Sequence, residues 1–145
     1  MGRGVMREWL AYTGPRKSRG VSVGARQTTQ MIAAEAAAEL DAAELLYMTA
    51  LRESVRKREA GERISDEEKA ASKRNVAFAC KLALEAGTKL FNHAGGRALF
   101  VDGHMQRQYR NLLGAASHHA VVWEEASVEY GAALLRLYQP AQGRA

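Results

Sequence analysis

Cysteine and proline are nearly absent from this chain, with one Cys and two Pro in 145 residues. A single cysteine, Cys80, excludes an intrachain disulfide and a cysteine-based zinc site. It falls in the apolar stretch 76–84, where it is expected as a buried small hydrophobe. The scarcity of proline leaves long segments free to stay helical. Runs of alternating β-branched residues are missing too, and residues 21–23 are too short to count as a strand. No stretch approaches the about 18–20 consecutive apolar residues of a membrane span. Arg3 and Arg7 open the chain without an apolar signal core behind them. Met1-Gly2 begins like a myristoylation signal, but the sixth residue is Met rather than Ser or Thr. The expectation is a cytoplasmic protein with no membrane partner.

What is present is alanine, with Glu, Leu, Lys and Arg, inside an apolar content of 47%. That composition favours helix throughout. The length fits one domain, 1–145, able to bury a core. Residues 3–12 read as a short helix with Val5, Met6, Trp9 and Leu10 on one side, ended by Thr13-Gly14-Pro15. Residues 14–26 carry four Gly or Pro and read as a loop. A long helix follows over about 28–58, its stripe formed by Ile32, Ala36, Leu40, Ala43, Leu46 or Tyr47, and Ala50. Ser65-x-x-Glu68 is a capping box that opens a third helix. Its stripe is Val76, Cys80, Ala83, Gly87 and Leu90, and residues 92–96 break it. After a loop near 101–103 the chain turns helical again from about His104, with Ala120, Trp123, Ser127, Tyr130, Leu134 and Leu137 as the last stripe. Residues 140–145 are expected to fray. The fold class is therefore all-α: an antiparallel up-down bundle of three long helices and a short one, with its core over 28–138. Alanine-rich faces suit close pairing of helices between subunits, so a homo-oligomer, dimer or tetramer, is expected.

The net charge of +5 is uneven. Residues 1–26 hold Arg3, Arg7, Arg16, Lys17, Arg19 and Arg26 against the single acid Glu8, and the remainder is neutral. A basic arm can serve nucleic acid. No aromatic residue interleaves the stretch 16–19, so a solvated loop, or arginines meeting carboxylates or cofactor phosphates, is the favoured reading over a nucleic-acid-binding bundle.

The candidates for chemistry gather in residues 93–131. Gly95-Gly96 forms a turn, Gln106-Arg107-x-x-Arg110-Asn111 follows, and His118-His119 comes next. Histidine gives or takes a proton near neutral pH, which suits acid/base work. Neighbours on a helix point about 100° apart, so one of the pair faces any given cleft. Arg110 precedes His118 by eight residues, two turns if the helix is continuous, which puts both toward one edge. The four histidines, 93, 104, 118 and 119, match no standard metal-ligand spacing, and no metal is expected.

The order Gly-Gly, Gln-Arg-x-x-Arg-Asn, His resembles the C-terminal helical domain of the acyl-CoA-dehydrogenase-like flavin monooxygenases. These are the oxygenase components of two-component systems. Gly4-Val5-Met6-Arg7-Glu8-Trp9 looks like the first helix of that domain, and residues 30–46 look like its Ala/Glu-rich second helix. The resemblance covers that domain only, without the family's N-terminal helical and central β domains. It implies reduced FMN or FAD from a separate flavin reductase, and hydroxylation of a small aromatic or heteroaromatic substrate through a flavin C4a-hydroperoxide. It further implies His118, or by one residue's shift His119, as the catalytic acid/base, with Gly95, Gly96, Arg110 and Asn111 at the cofactor or the adjoining subunit contact. Asn111 stands where Asp is usual. Relatives that dehydrogenate acyl thioesters carry a glutamate just after the run, whereas here the next are Glu124 and Glu125, which disfavours dehydrogenation. The alternative from another class is a non-catalytic helical oligomerisation module or truncated remnant of the same ancestry.

Overall fold

A computed structural model of the chain describes residues 1–100 and 103–137. The helices are α1 (Gly2–Thr13), α2 (Gln27–Glu59), α3 (Asp66–Ala94), α4 (His104–Ala116) and α5 (Trp123–Leu137). The all-α reading holds, and so does the up-down course. Lys57 meets Glu68 near the α2–α3 turn, while Lys89 near the end of α3 meets Glu35 and Glu39 at 2.6 Å each, so α2 and α3 are antiparallel. Residues of α1 and α3 advance together, Gly2 lying against Ala83 and Val5 against Gly87, so these two are parallel. The expected frayed tail, and Val101 and Asp102 of the expected loop, lie outside the described residues.

Three local expectations change. The final helix is not continuous. It divides into α4 and α5 at residues 117–122, which hold a 3₁₀ turn, His119–Val121. Ser117 turns its hydroxyl back onto the Leu113 carbonyl at 2.8 Å, and the His118 ring accepts the Ala120 N–H. Side chains that satisfy local backbone groups in this way compete with the helical ladder. The break leaves the topology intact. Tyr109 of α4 reaches Thr88, Trp123 of α5 packs on Phe78, and Glu129 reaches Lys73, so α4 and α5 run in succession antiparallel to α3, as one interrupted strut. The second change is in the basic loop. Lys17–Ser18 and Val21–Ser22 pair as a minimal antiparallel hairpin. Its two-residue turn, Arg19-Gly20, has φ of 53° and 78°, the positive pair that a tight hairpin needs. The third is α3, which runs on to Ala94 rather than ending near Phe91.

The capping box is present in full: Ser65 Oγ accepts the Glu68 N–H at 3.2 Å, and Glu68 accepts the Ser65 N–H at 2.9 Å. In α2, Ala36, Leu40, Ala43 and Ala50 are buried, and Leu46 rather than Tyr47 takes the inner position. In α1, Val5 and Trp9 are buried while Leu10 faces out. Ala126 is the buried residue of α5, a shift in phase from the predicted stripe, and Leu134 and Leu137 are exposed. Cys80 is half-buried. The core sits where α1 and α4 clasp the C-terminal half of α3, around Val5, Trp9, Leu40, Leu90, Met105 and Leu112. Each such large side chain contributes about 1.5–3 kcal/mol on burial. Gly87 favours this close approach: a Cβ at that position would overlap the Leu112 Cδ2 methyl, so that buried side chain would have to shift for α4 to close on α3.

Candidate functional site

The C-terminal end of α3 shapes the site. A helix leaves its last carbonyls without partners, and Gly95 turns the chain away with φ 83° and ψ 172°. That conformation belongs essentially to glycine. Arg16 then reaches across from the loop after α1 and donates to the Ala94 carbonyl, satisfying one of the orphan acceptors at the negative end of the helix. The Arg16 guanidinium also lies 5.3 Å from the centre of the Tyr12 ring, a cation–π contact that holds it in place. Two guanidinium nitrogens remain 3.5–3.7 Å from where a Gly95 side chain would begin. The result is an open cavity of about 310 Å³ lined by Tyr12, Arg16, Lys17, Gly95, Gly96 and Arg97. Three cations and two glycines meet there, and no carboxylate is among the lining residues. Chemically this is a place for a phosphate or another anion.

His118 sits at the α4–α5 break, exposed, where it caps the 3₁₀ turn. Its Nδ1 accepts the Ala120 N–H at 3.2 Å, which fixes the ring and leaves Nε2 facing away from that bond. The His119 ring stands 4.4 Å from it, tilted by 32°. Because α4 stops at Ala116, the two-turn register that would align Arg110 with His118 does not apply. Arg110 and Asn111 are exposed on α4. The cavity at Gly95 includes neither of them, nor His118.

A family model described as acyl-CoA dehydrogenase, C-terminal domain, matches residues 1–123. The chain belongs to that family. No curated protein matches it. Among solved structures it is similar to the HsaA monooxygenase from M. tuberculosis, with 23% identity and a TM-score of 0.81 over 93% of this chain and 34% of that one. It is similar to 3-HSA hydroxylase from Rhodococcus sp. RHA1, with 24% identity and 0.84 over 96% and 37%. It is also similar to XiaF from Streptomyces sp., solved in complex with FADH2 and glycerol, with 19% identity and 0.87 over 96% and 36%. These are likenesses of fold, and the chain spans about a third of the length of each.

In this acyl-CoA dehydrogenase C-terminal domain, the structure brings together only part of the predicted set. Gly95 and Gly96 share one cavity with Arg16, Lys17 and Arg97, whereas His118, Arg110 and Asn111 stand on other surfaces. Sequence reasoning offered Arg16 only within a basic stretch whose arginines meet carboxylates or cofactor phosphates, and it did not join Arg16, Lys17 and Arg97 to the Gly95-Gly96 turn. Arg16 and Lys17 read as members of a generic basic stretch, and nothing local in the sequence shows that the loop after α1 folds onto the end of α3. The basic arm is in fact partly consumed inside the fold. Arg3 pairs with Asp41 and Glu44 at 2.5 and 2.9 Å, and Arg26 donates to the Ser18 carbonyl. Elsewhere on α4, Gln106 Oε1 is buried without a partner, and Arg107 reaches His104 Nδ1 at 3.3 Å. Among the described residues no three His, Cys, Asp or Glu side chains gather as a metal site. Among them, too, no helix is long and apolar enough to cross a membrane.

Proposed function

We propose that this chain serves as the helical domain of a cytoplasmic flavin-dependent oxygenase component, hydroxylating a small aromatic or heteroaromatic substrate with reduced FMN or FAD from a separate reductase. The observation that carries the reading is the cation-lined cavity at Gly95, on a helical fold shared with a protein solved with FADH2 bound. Its residues fit the phosphate-bearing tail that FMN and FAD have in common: Arg16, Lys17 and Arg97 supply charge, and the bare Gly95 backbone admits close approach. When bound and reduced, the flavin supplies the oxygen-activating chemistry.

The chain's own residues bind, orient and move a proton. His118 acts as the acid/base. With Nδ1 held as an acceptor by the Ala120 N–H, a neutral ring carries its proton on Nε2 and offers it as a hydrogen bond to an oxygen of a bound substrate; to act as a base, the ring leaves the Ala120 N–H, carries its proton on Nδ1 and takes the substrate's proton at Nε2. Arg110 and Asn111 serve the flavin edge or the adjoining subunit contact. Residues 1–145 act as one helical domain. The exposed Met31 and Leu45 of α2, and Val128 and Leu135 of α5, support assembly as a dimer or tetramer.

An anaerobic titration with reduced FMN and reduced FAD tests the reading, following the flavin absorbance. The expected result is a saturable spectral change in the wild type that weakens at least tenfold in Arg16→Gln. Equal responses from both proteins would remove the cavity from flavin binding. No response from either would leave the non-catalytic oligomerisation module as the better account of this chain.

A further inference from the structure

From His104 to Val121 the chain is helical on both sides of a short gap. α4 ends at Ala116, and the 3₁₀ turn takes His119–Val121, so the gap is Ser117 and His118. Ser117 lies near the helical region, with φ −86° and ψ 0°. Its hydroxyl bond to the Leu113 carbonyl is one that a helix accommodates. His118 has φ −70° and ψ 131°. That φ already suits a helix, and only ψ, about −42° in a helix, does not. One torsion of one histidine therefore carries most of the difference between this joint and a helix continuous to Val121.

A side-chain bond that depends on protonation holds this torsion. His118 Nδ1 accepts the Ala120 N–H at 3.2 Å. An imidazolium carries hydrogen on both ring nitrogens and accepts nothing. One turn before Ala120, the Ala116 carbonyl receives no backbone hydrogen bond from the described residues outside α4. It is the acceptor that an α-helix uses for that N–H. A proton on Nδ1 therefore releases a donor one turn from an open acceptor. The charge pushes the same way, because a cation is favourable at a helix C-terminus and His118 follows the last turn of α4. His119 adds to it. Its ring centre is 4.4 Å from that of His118, where two imidazoliums repel, and neighbours on a helix point about 100° apart.

The groups packed around the joint leave this balance in place. From α3, Lys81 lines the hollow beneath it, and Glu85 stands 3.5 Å from that ammonium. Cys80 lines the same hollow, and burial pushes its thiol up, so it stays neutral. From α5 comes Glu124, a carboxylate. Beyond Ala115 and Ala116 lie Tyr47 and the paired Arg3 and Glu44. We infer that the α4–α5 joint is a proton-operated switch: when His118 takes a proton at Nδ1, the Ala120 N–H passes to the Ala116 carbonyl and α4 extends through Val121. Val122, with φ −66° and ψ 119°, keeps the bend into α5. The hollow, about 200 Å³ and bordered by Ala116, Val121 and Val122, gives the turn room to move. The inference rests on the backbone of the joint and holds without flavin.

The test follows the Cα chemical shifts of residues 117–120 in the isotope-labelled full chain, without flavin, from about pH 8 to about pH 5, across the range in which histidine titrates. The His118 and His119 ring resonances, assigned by single substitution, give the midpoint of each ring. The expected result is that the four shifts move together toward helical values as the ratio of helical to broken joint rises at least about tenfold. Their midpoint equals that of the His118 ring. His118→Asn abolishes the move, because Asn offers the Ala120 N–H an acceptor that does not titrate. His119→Gln keeps it. Unchanged resonances of α1 to α3 show that each variant is folded. Shifts that stay non-helical throughout in the wild type would overturn the inference. So would a move that persists in His118→Asn, follows the His119 ring, or is lost in His119→Gln.

Discussion

Replacing Gly95 with alanine isolates the backbone demand on which the candidate site rests. Gly95 has φ 83° and ψ 172°, a region that is nearly closed to residues with a side chain. Space is not the obstacle. A methyl there would meet only the Arg16 guanidinium, at 3.5 Å, an ordinary contact. The cost is therefore conformational, about 1–3 kcal/mol. For a chain of this size 1 kcal/mol moves the unfolding midpoint by about 4 °C, so Gly95→Ala lowers it by about 4–12 °C. Gly96 is the internal control. It is adjacent, has no positive φ, and has open space where a side chain would go. Gly96→Ala leaves the midpoint within about 2 °C of wild type, given the small effect of surface substitutions. Thermal unfolding followed by circular dichroism at the helical minimum measures both. If Gly95→Ala and Gly96→Ala melt together, the turn is not held by its glycine and the reasoning fails.

Leu90 is fully buried between α1 and α4, so Leu90→Ala costs about 2–5 kcal/mol in urea unfolding, and a loss below 1 kcal/mol would mean the core lies elsewhere. Gly131 in α5 has nothing near it, so Gly131→Ala stabilises by up to about 1 kcal/mol through helix propensity, whereas Gly87→Val, driven into Leu112, costs about 1–3 kcal/mol; the same sign for both would contradict the packing described. Acid unfolding tests the α2–α3 turn. Lys57 first, and then the Ser65 N–H, hold the Glu68 carboxyl below its ordinary value of 4.5. A depressed carboxylate contributes stability above its unfolded value and loses it as pH falls through the folded one, so stability declines on acidification below about pH 4.5. Glu68→Gln flattens that decline. An acid limb identical to wild type would show that the pair contributes nothing in solution.

Much of the helical frame was legible in the sequence because apolar spacing, the Ser65 capping box and the Gly95-Gly96 turn are local signals. The α2 stripe through Ala36, Leu40, Ala43 and Ala50 follows directly from its periodicity. The α4–α5 break was not legible. It contains neither Gly nor Pro, and its cause is a set of side-chain bonds from Ser117 and His118 to the backbone that spacing alone does not reveal. The candidate site divides the same way. Gly95 and Gly96 stand out as a turn, but Arg16 lies 78 residues from the carbonyl it caps, and only the fold brings it there. The basic arm read from composition dissolves into separate jobs. Arg3 pairs with α2, Arg16 caps α3, and Arg26 ties the hairpin.

The most direct test of the account is sedimentation velocity of the full chain under anaerobic conditions with reduced flavin, followed at a flavin wavelength as well as at 280 nm. The account predicts a dimer or tetramer that carries flavin absorbance with it, and an Arg16→Gln variant that sediments at the same rate without the flavin. Flavin that stays behind with the solvent in both proteins would contradict it.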